Sequence, residues 1–293
     1  MSPQSTGPDV HGFFDPATNT ISYVVVDPAT GQCAIIDSVL DFDAAAGTTS
    51  TESTDALLKF VIDNDFKVCW ILETHVHADH LSAAPYLRDL TEAPIGIGSE
   101  IITVQRLFGK IFNAGSEFEL DGSQFDTLFN DQAEFSIGDI DGYVLHTPGH
   151  TPACVTYVIG DCAFTGDTAF MPDFGTARTD FPGGDAAQLY HSINRILSLP
   201  EETRLFVCHD YKAPDRNEFA WETSVAEQRE RNVHIKQGTT CDEFVKFRTE
   251  KDRGLPVPKL LIPSVQVNMR AGNLPPPEAD GNVYLKIPMN RLK

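Results

Sequence analysis

The chain has 293 residues, long enough for one large α/β domain with an ordinary buried core, since apolar residues make up 41% of it. It carries 22 basic against 42 acidic residues, a formal net charge of −20 with neutral histidines. Such a surface repels nucleic acid and anionic membrane, so neither is expected as a partner.

No run of apolar residues is long enough to span a bilayer, and the start MSPQSTGPDVHGFFDP lacks the basic and apolar stretches of a signal peptide. Six scattered cysteines without a CxxC pair read as free thiols. A cytoplasmic location is the expectation.

In chain order, residues 1–12 read as a flexible tail. The run ISYVVVDPATGQCAIID reads as a hairpin: β-branched segments Ile21–Val26 and Cys33–Asp37 flank a turn on Asp27, Pro28 and Gly31. TESTDALLKFVIDND predicts a helix burying Leu57, Leu58, Val61 and Ile62 on one face. Lys67–Leu72 is a short apolar strand running into ETHVHADH, and a helix follows over Ser82–Leu90 with Pro85 in its first turn.

The middle reads as strand-rich: PIGIG, SEFEL, AEFSIGDIDGYVLHTPGH and CVTYVIGDCAFTGD. A helix is predicted over Ala186–Leu199, with Leu205–Cys208 as the last clear core strand. Beyond it come helices near Thr223–Arg231 and Asp242–Lys251 and a Pro-rich tail. This order suggests two sheets flanked by helices in a single domain over 13–293, with a helical and Pro-rich extension from about 212.

Chemistry concentrates in segments that follow predicted strands. HVHADH supplies His75, His77, Asp79 and His80; TPGHT presents His150 on a Pro-Gly turn; FTGD leaves Asp167 at a strand end; CHDY adds His209. Histidines two apart at a strand end are expected to point the same way. Imidazole with carboxylate suits Zn, Fe or Mn, and three such ligands with open positions describe a catalytic centre. An isolated HxH would be an ordinary pair of polar histidines; four such segments in this order are a metal site.

These motifs resemble those of the metallo-β-lactamase-fold superfamily. The resemblance implies an α/β (α+β) fold, an αββα sandwich of two mixed sheets flanked by helices, with a metal where the sheets meet. Two activities share that fold. In a binuclear glyoxalase-II-like thioester hydrolase, His75, His77 and His150 would hold one metal and Asp79, His80 and His209 the other. Asp167 would bridge, and zinc would be the metal.

The stretches ILETHVHADHLSAA, HTPGHTPACVTYV, AFTGD, ARTDF, CHDY, CDEFVKF, LPVPK and VNMRAG are similar instead to the persulfide dioxygenase branch. That resemblance covers about Phe13 to Gly272. It implies one Fe(II) per chain on His75, His150 and Asp167, a facial triad with room for the persulfide sulfur and O2. Glutathione persulfide and O2 would be the substrates, sulfite and glutathione the products, and the chain a homodimer.

By the same resemblance, Asp79, His80 and Tyr211 are expected to serve catalysis. His77, Asp79, His80 and His209 would hold the ligands in place. Arg178 and Tyr211 would bind substrate; pairing of Arg178 with Asp180 and packing of Tyr211 under the site are the structural alternatives. Thr176 and Ala177 stand where human-type members carry a cysteine and a glycine, and Asp41–Asp55 and Phe108–Phe129 read as insertions.

Cys154 and Cys162 read as small buried residues, and His146 as a structural or supporting residue. His11, His191 and His234 lack partner motifs. Arg229, Arg231, Lys246 and Lys251 form a basic run, read as a solvated helix face rather than a contact to glutathione carboxylates.

Overall fold

The computed structural model describes residues 7–292. Stiff β-branched and aromatic side chains favour extended backbone, and the sequence alternates such runs with helical ones. The first half holds β1 (Asp9–Asp15), β2 (Thr20–Val26), β3 (Gln32–Ile36), β4 (Val39–Asp43), β5 (Thr48–Ser50) and α1 (Glu52–Asp63). It continues with β6 (Lys67–Leu72), β7 (Leu81–Ser82), α2 (Ala84–Thr91), β8 (Ile95–Gly98), α3 (Ile101–Ile111) and β9 (Thr127–Phe129). The second half holds β10 (Glu134–Ile137), β11 (Ile140–His146), β12 (Val155–Ile159), β13 (Cys162–Phe164), α4 (Ala186–Ile196) and β14 (Arg204–Phe206). β15 (Glu222–Ser224), α5 (Val225–Arg231), α6 (Cys241–Asp252) and α7 (Leu261–Asn268) complete it.

Two six-stranded mixed sheets form, ordered β1-β2-β3-β6-β8-β9 and β10-β11-β12-β13-β14-β15; a small sheet, β5-β4-β7, stands beside them. The large sheets face each other across Tyr23, Ile36, Tyr157, Phe164 and Phe206. Helices α1, α2, α3 and α7 contribute Leu57, Leu87, Val104 and Val265 to a core that also takes Val24 and Ile35 from the first sheet. On the second sheet, Leu145, Val158 and Leu205 pack with Ile196 of α4 and Val225 of α5. This is the expected αββα sandwich. Among the described residues no helix is long and apolar enough to cross a membrane.

Several expectations need correction. Residues 9–12, expected in the tail, begin β1, which pairs with β2 from Asp9↔Val26 to Asp15↔Thr20, and His11 packs on Phe60. The neighbouring strand satisfies a backbone that the short, Gly-interrupted pattern left unassigned. Residues 1–6 of that tail lie outside the described residues.

SEFEL is turn rather than strand, and α3 precedes it. The buried Ile101, Val104, Gln105 and Phe108 of α3 recur at helical spacing, a signal that the β-branched start masked. Ile62 on α1 is 69% exposed, because α1 turns Thr54, Leu57, Leu58 and Val61 inward. β15, pairing antiparallel with β14, follows the strand expected to be last.

Phe164 stacks on Phe206 with ring centroids 5.1 Å apart and meets Tyr23 edge-on at 5.3 Å, joining the sheets. Phe164→Ala should lower unfolding free energy by about 3–5 kcal/mol with an unchanged denaturant slope. A loss near zero in chemical denaturation would show that this contact does not hold the sandwich together.

Candidate metal centre

Backbone placement comes first. β6 ends at Leu72 and delivers HVHADH as an irregular loop, not as a strand continuation. Even so, His75 and His77 bring their rings to one place, 4.1 Å apart at 55°, though their outer nitrogens meet different partners. Gly149 adopts φ +141°, and a Cβ there would sit 2.4 Å from the Leu189 backbone, so the turn before His150 needs glycine. Gly166, at φ +50°, lets the chain pass Thr74 and leave Asp167 at the cluster.

Every imidazole is gripped on its outer nitrogen. His75 Nδ1 lies 3.0 Å from Thr74 Oγ1, and His150 Nδ1 donates to the Arg178 carbonyl at 2.8 Å. Thr20 Oγ1 is 3.3 Å from Nδ1 of both His80 and His209. His77 is turned round: its Nε2 meets Asp37 Oδ1 at 3.0 Å and Glu73 Oε2 at 3.3 Å.

The inner atoms are the orphans. Nε2 of His75, His80 and His209, Nδ1 of His77 and Oδ1 of Asp79 and Asp167 are buried without a hydrogen-bond partner. Such a concentration is costly unless something binds there. Imidazole nitrogens and carboxylate oxygens are ligands of a divalent transition metal, and outer bonds to carboxylate or carbonyl are what orient metal-binding histidines. The residues fit a metal.

The donors fall into two sets. His75, His150 and Asp167 converge within 4.8 Å of one another, as do His77, Asp79, His80 and His209. Asp167 lies between them, Oδ2 3.5 Å from His150 Nε2 and Oδ1 3.3 Å from His209 Nε2. His77 thus groups with Asp79, His80 and His209, while its ring also lies 4.1 Å from that of His75.

Burial opposes charge on the rings of His75, His77, His80 and His209, and where carboxylates stand close they decide the outcome. Burial, then the neighbouring His77 and His150, holds His75 well below its ordinary pKa. Burial and His77 push His80 to about 4. At His77 the effect of burial is outweighed by Asp37 and Glu73, which hold it well above its ordinary value. Asp79 and Asp167 likewise overcome burial and lift His209 to about 9. Burial raises Asp167 itself, partly offset by His209 and His150.

A cavity of about 290 Å³ opens over the cluster, with His150, Asp167 and Asp79 in its floor and Phe170, Phe174, Phe181 and Tyr211 in its walls. Thr176 and Ala177 line it too. A groove of about 900 Å³ shares Asp79, Arg178, Tyr211, Leu255 and Pro258 with it and is bounded by the β4–β5 hairpin, so the segment Asp41–Asp55 borders the site. The segment Phe108–Phe129 puts Phe108, Phe112, Phe118 and Phe125 into the helical layer instead.

Tyr211 is 42% exposed and stacks on His209 with centroids 5.8 Å apart. The Arg178 side chain lines the cavity but is committed to Asp180 through bonds of 2.6 and 2.8 Å and to the Pro256 carbonyl at 2.7 Å. Cys154 and Cys162 are buried, and burial pushes the Cys154 thiol up to about 12. His146 Nε2 meets the Pro152 carbonyl at 2.8 Å, a structural contact.

The family signature described as Metallo-beta-lactamase superfamily matches residues 16–209. The chain belongs to that superfamily. It is 53% identical over 293 residues to a probable metallo-hydrolase of Burkholderia pseudomallei, covering 97% of this chain and 99% of that one. It is 50% identical over 274 residues to Glyoxylase B2 of Dictyostelium discoideum, covering 92% and 93%. It is also 30% identical over 267 residues to the mitochondrial persulfide dioxygenase ETHE1 of Bos taurus, covering 90% and 89%. The crystal structure of ETHE1 from Myxococcus xanthus superposes with a TM-score of 0.71 at 32% identity, over 90% of this chain and all of that one.

Sequence reasoning missed the supports: Thr20, Asp37, Glu73, and Asn268 of α7. Asn268 is buried, and its amide donates to the carbonyls of His77 at 2.9 Å and His80 at 2.8 Å while its oxygen accepts from the Ser82 N–H at 2.8 Å. It staples both ends of the metal loop. Asn268→Ala should weaken metal binding by about 10–100-fold and cost about 2–3 kcal/mol of stability. Metal affinity indistinguishable from wild type in a chelator competition would show that the loop holds its shape unaided.

Proposed function

We propose that this chain is a glutathione-dependent persulfide dioxygenase working at a mononuclear non-haem Fe(II). The observation that carries the reading is the three-donor set His75, His150 and Asp167, two of whose members form the floor of an aromatic-walled cavity. Support also comes from the likeness to ETHE1 proteins over about nine-tenths of the chain.

His75, His150 and Asp167 would hold the iron, a two-histidine, one-carboxylate set that leaves positions open. Bound there, Fe(II) supplies the O2 chemistry that side chains lack. Glutathione persulfide, O2 and water give glutathione, sulfite and two protons. The sulfur–sulfur bond breaks, the outer sulfur is oxidised by four electrons, and O2 accepts them.

The chain's own residues prepare that reaction. The Arg178 carbonyl fixes the His150 ring with Nε2 inward. Phe170, Phe174 and Phe181 exclude water around the reacting sulfur. Tyr211 places a hydroxyl-bearing ring at the mouth, beside His209. The homodimer implied by the resemblance and the cytoplasmic setting read from the cysteines belong to the same proposal.

The second reading is a binuclear thioester hydrolase. Specific observations favour it: inward atoms of His77, Asp79, His80 and His209 are also unpartnered, and Asp167 faces both sets. Relatives at about half identity carry the names metallo-hydrolase, beta-lactamase hydrolase-like protein and Glyoxylase B2.

Anaerobically Fe(II)-loaded protein given glutathione persulfide should take up O2 and release sulfite with about one iron per chain, and Asp167→Ala should abolish both. Absence of O2 uptake, together with hydrolysis of a glutathione thioester and two metals bound, would overturn the dioxygenase and establish the hydrolase.

A further inference from the structure

Tyr211 reaches the metal cavity from a segment that has no helix or strand of its own. β14 and β15 pair as neighbours up to Phe206↔Glu222, and the chain between them, residues 207–221, is a loop. That loop brings His209 to the donor cluster and Tyr211 to the cavity wall. Directly after Tyr211, Lys212 sits at φ +61°, a left-handed conformation that a residue with a Cβ keeps only under constraint. Something has to hold this backbone.

The constraint is one guanidinium. Arg216 makes five bonds with its five N–H groups. Nη1 and Nη2 donate to Asp210 Oδ2 at 2.5 Å and Oδ1 at 2.6 Å. Nε and Nη2 donate to Asp173 Oδ2 at 2.7 Å and Oδ1 at 3.2 Å, and Nη1 also reaches the Glu218 carbonyl at 3.0 Å. The buried Asp210 carboxylate turns its remaining lone pairs to the loop, accepting from the N–H of Ala220 at 2.8 Å and of Lys212 at 3.1 Å.

Asp210 thus organises the loop from inside, and Arg216 ties it to a different piece of chain. Asp173 lies between Phe170 and Phe174, whose rings wall the cavity and meet the Tyr211 ring at 6.2 and 5.3 Å. An isolated surface ion pair would add little. A planar fork that grips two carboxylates at once, one of them buried, fixes orientation as well as distance.

We propose that Arg216 is a positioning residue for Tyr211: it pins the 207–221 loop to the 170–174 segment and so sets two aromatic walls of the metal cavity against each other. The inference goes beyond the choice of reaction, since it needs only the cavity that the dioxygenase and hydrolase readings share.

Two measurements on intact, metal-loaded protein test it. Asp173→Ala cuts the pin at its 40% exposed end and leaves Arg216 on Asp210, so the fold should survive. In hydrogen exchange it should speed the amides of 170–176 and 210–220 by about threefold to fivefold, with the β14–β15 pairing unchanged. Arg216→Gln, which leaves Asp210 buried and unpaired, should speed them by about tenfold or more. Exchange over 170–176 that does not move in either variant would overturn the pin.

The second is a double-mutant cycle in steady-state kinetics, on whichever of glutathione persulfide or a glutathione thioester the chain turns over. Asp173→Ala should raise KM about threefold, but less than about 1.5-fold in a Tyr211→Ala background, because nothing is then left to position. Effects that multiply in full would overturn the positioning role. Turnover of the thioester alone would sink the dioxygenase and leave this cycle intact. With neither substrate turned over, the exchange result decides.

Discussion

Five imidazoles and two carboxylates share one dry end of the sandwich; each ring is held at its outer nitrogen, and the inner nitrogens of His75, His77 and His80 are left without a partner. Unpartnered polar atoms in a low-dielectric interior cost stability, so this arrangement makes sense only around a cation. The rest of the structure follows from keeping those rings in place. Thr20 comes from β2, Asp37 from the end of β3, Thr74 from the end of β6, and the Arg178 carbonyl from the loop after Asp167.

The C-terminal extension is therefore part of the centre. Asn268 of α7 fixes the HVHADH loop from behind. The Arg248–Asp252 pair of α6 fixes the stretch Thr176–Thr179 that carries the carbonyl under His150. A superfamily core of residues 16–209 supplies the donors, and the helices beyond it set their rigidity and shape the cavity. This division explains how one set of motifs can serve two kinds of chemistry.

The sandwich and its metal donors were legible because their signals are local. The strand runs alternate, and HVHADH, TPGHT, FTGD and CHDY each place several functional groups within a few residues. The supports were not legible because they act at long range: Asn268 lies 186 residues from Ser82, and Thr20 lies 189 from His209. Helix α7 escaped notice because it is buried on nearly all sides and holds Pro263, so no amphipathic period marks it. For Arg178 the sequence left two roles open, a substrate contact or a pair with Asp180, and only the fold shows both Asp180 oxygens engaged. That the Nε2 of His77 is taken by Asp37 and Glu73 was not legible, because both partners reach it only through the fold.

What separates the two chemistries is how the paired donor sets fill. His75, His150 and Asp167 form a complete set for one metal with open positions, and the other four donors can either support it or hold a second ion. The most direct test is electron paramagnetic resonance of the anaerobic Fe(II)-loaded chain exposed to nitric oxide, a stand-in for O2. The account predicts a mononuclear iron–nitrosyl signal integrating to about one spin per chain, perturbed by glutathione and lost in His150→Ala. A spin-coupled pair of irons, or no nitric oxide adduct at all, would contradict it.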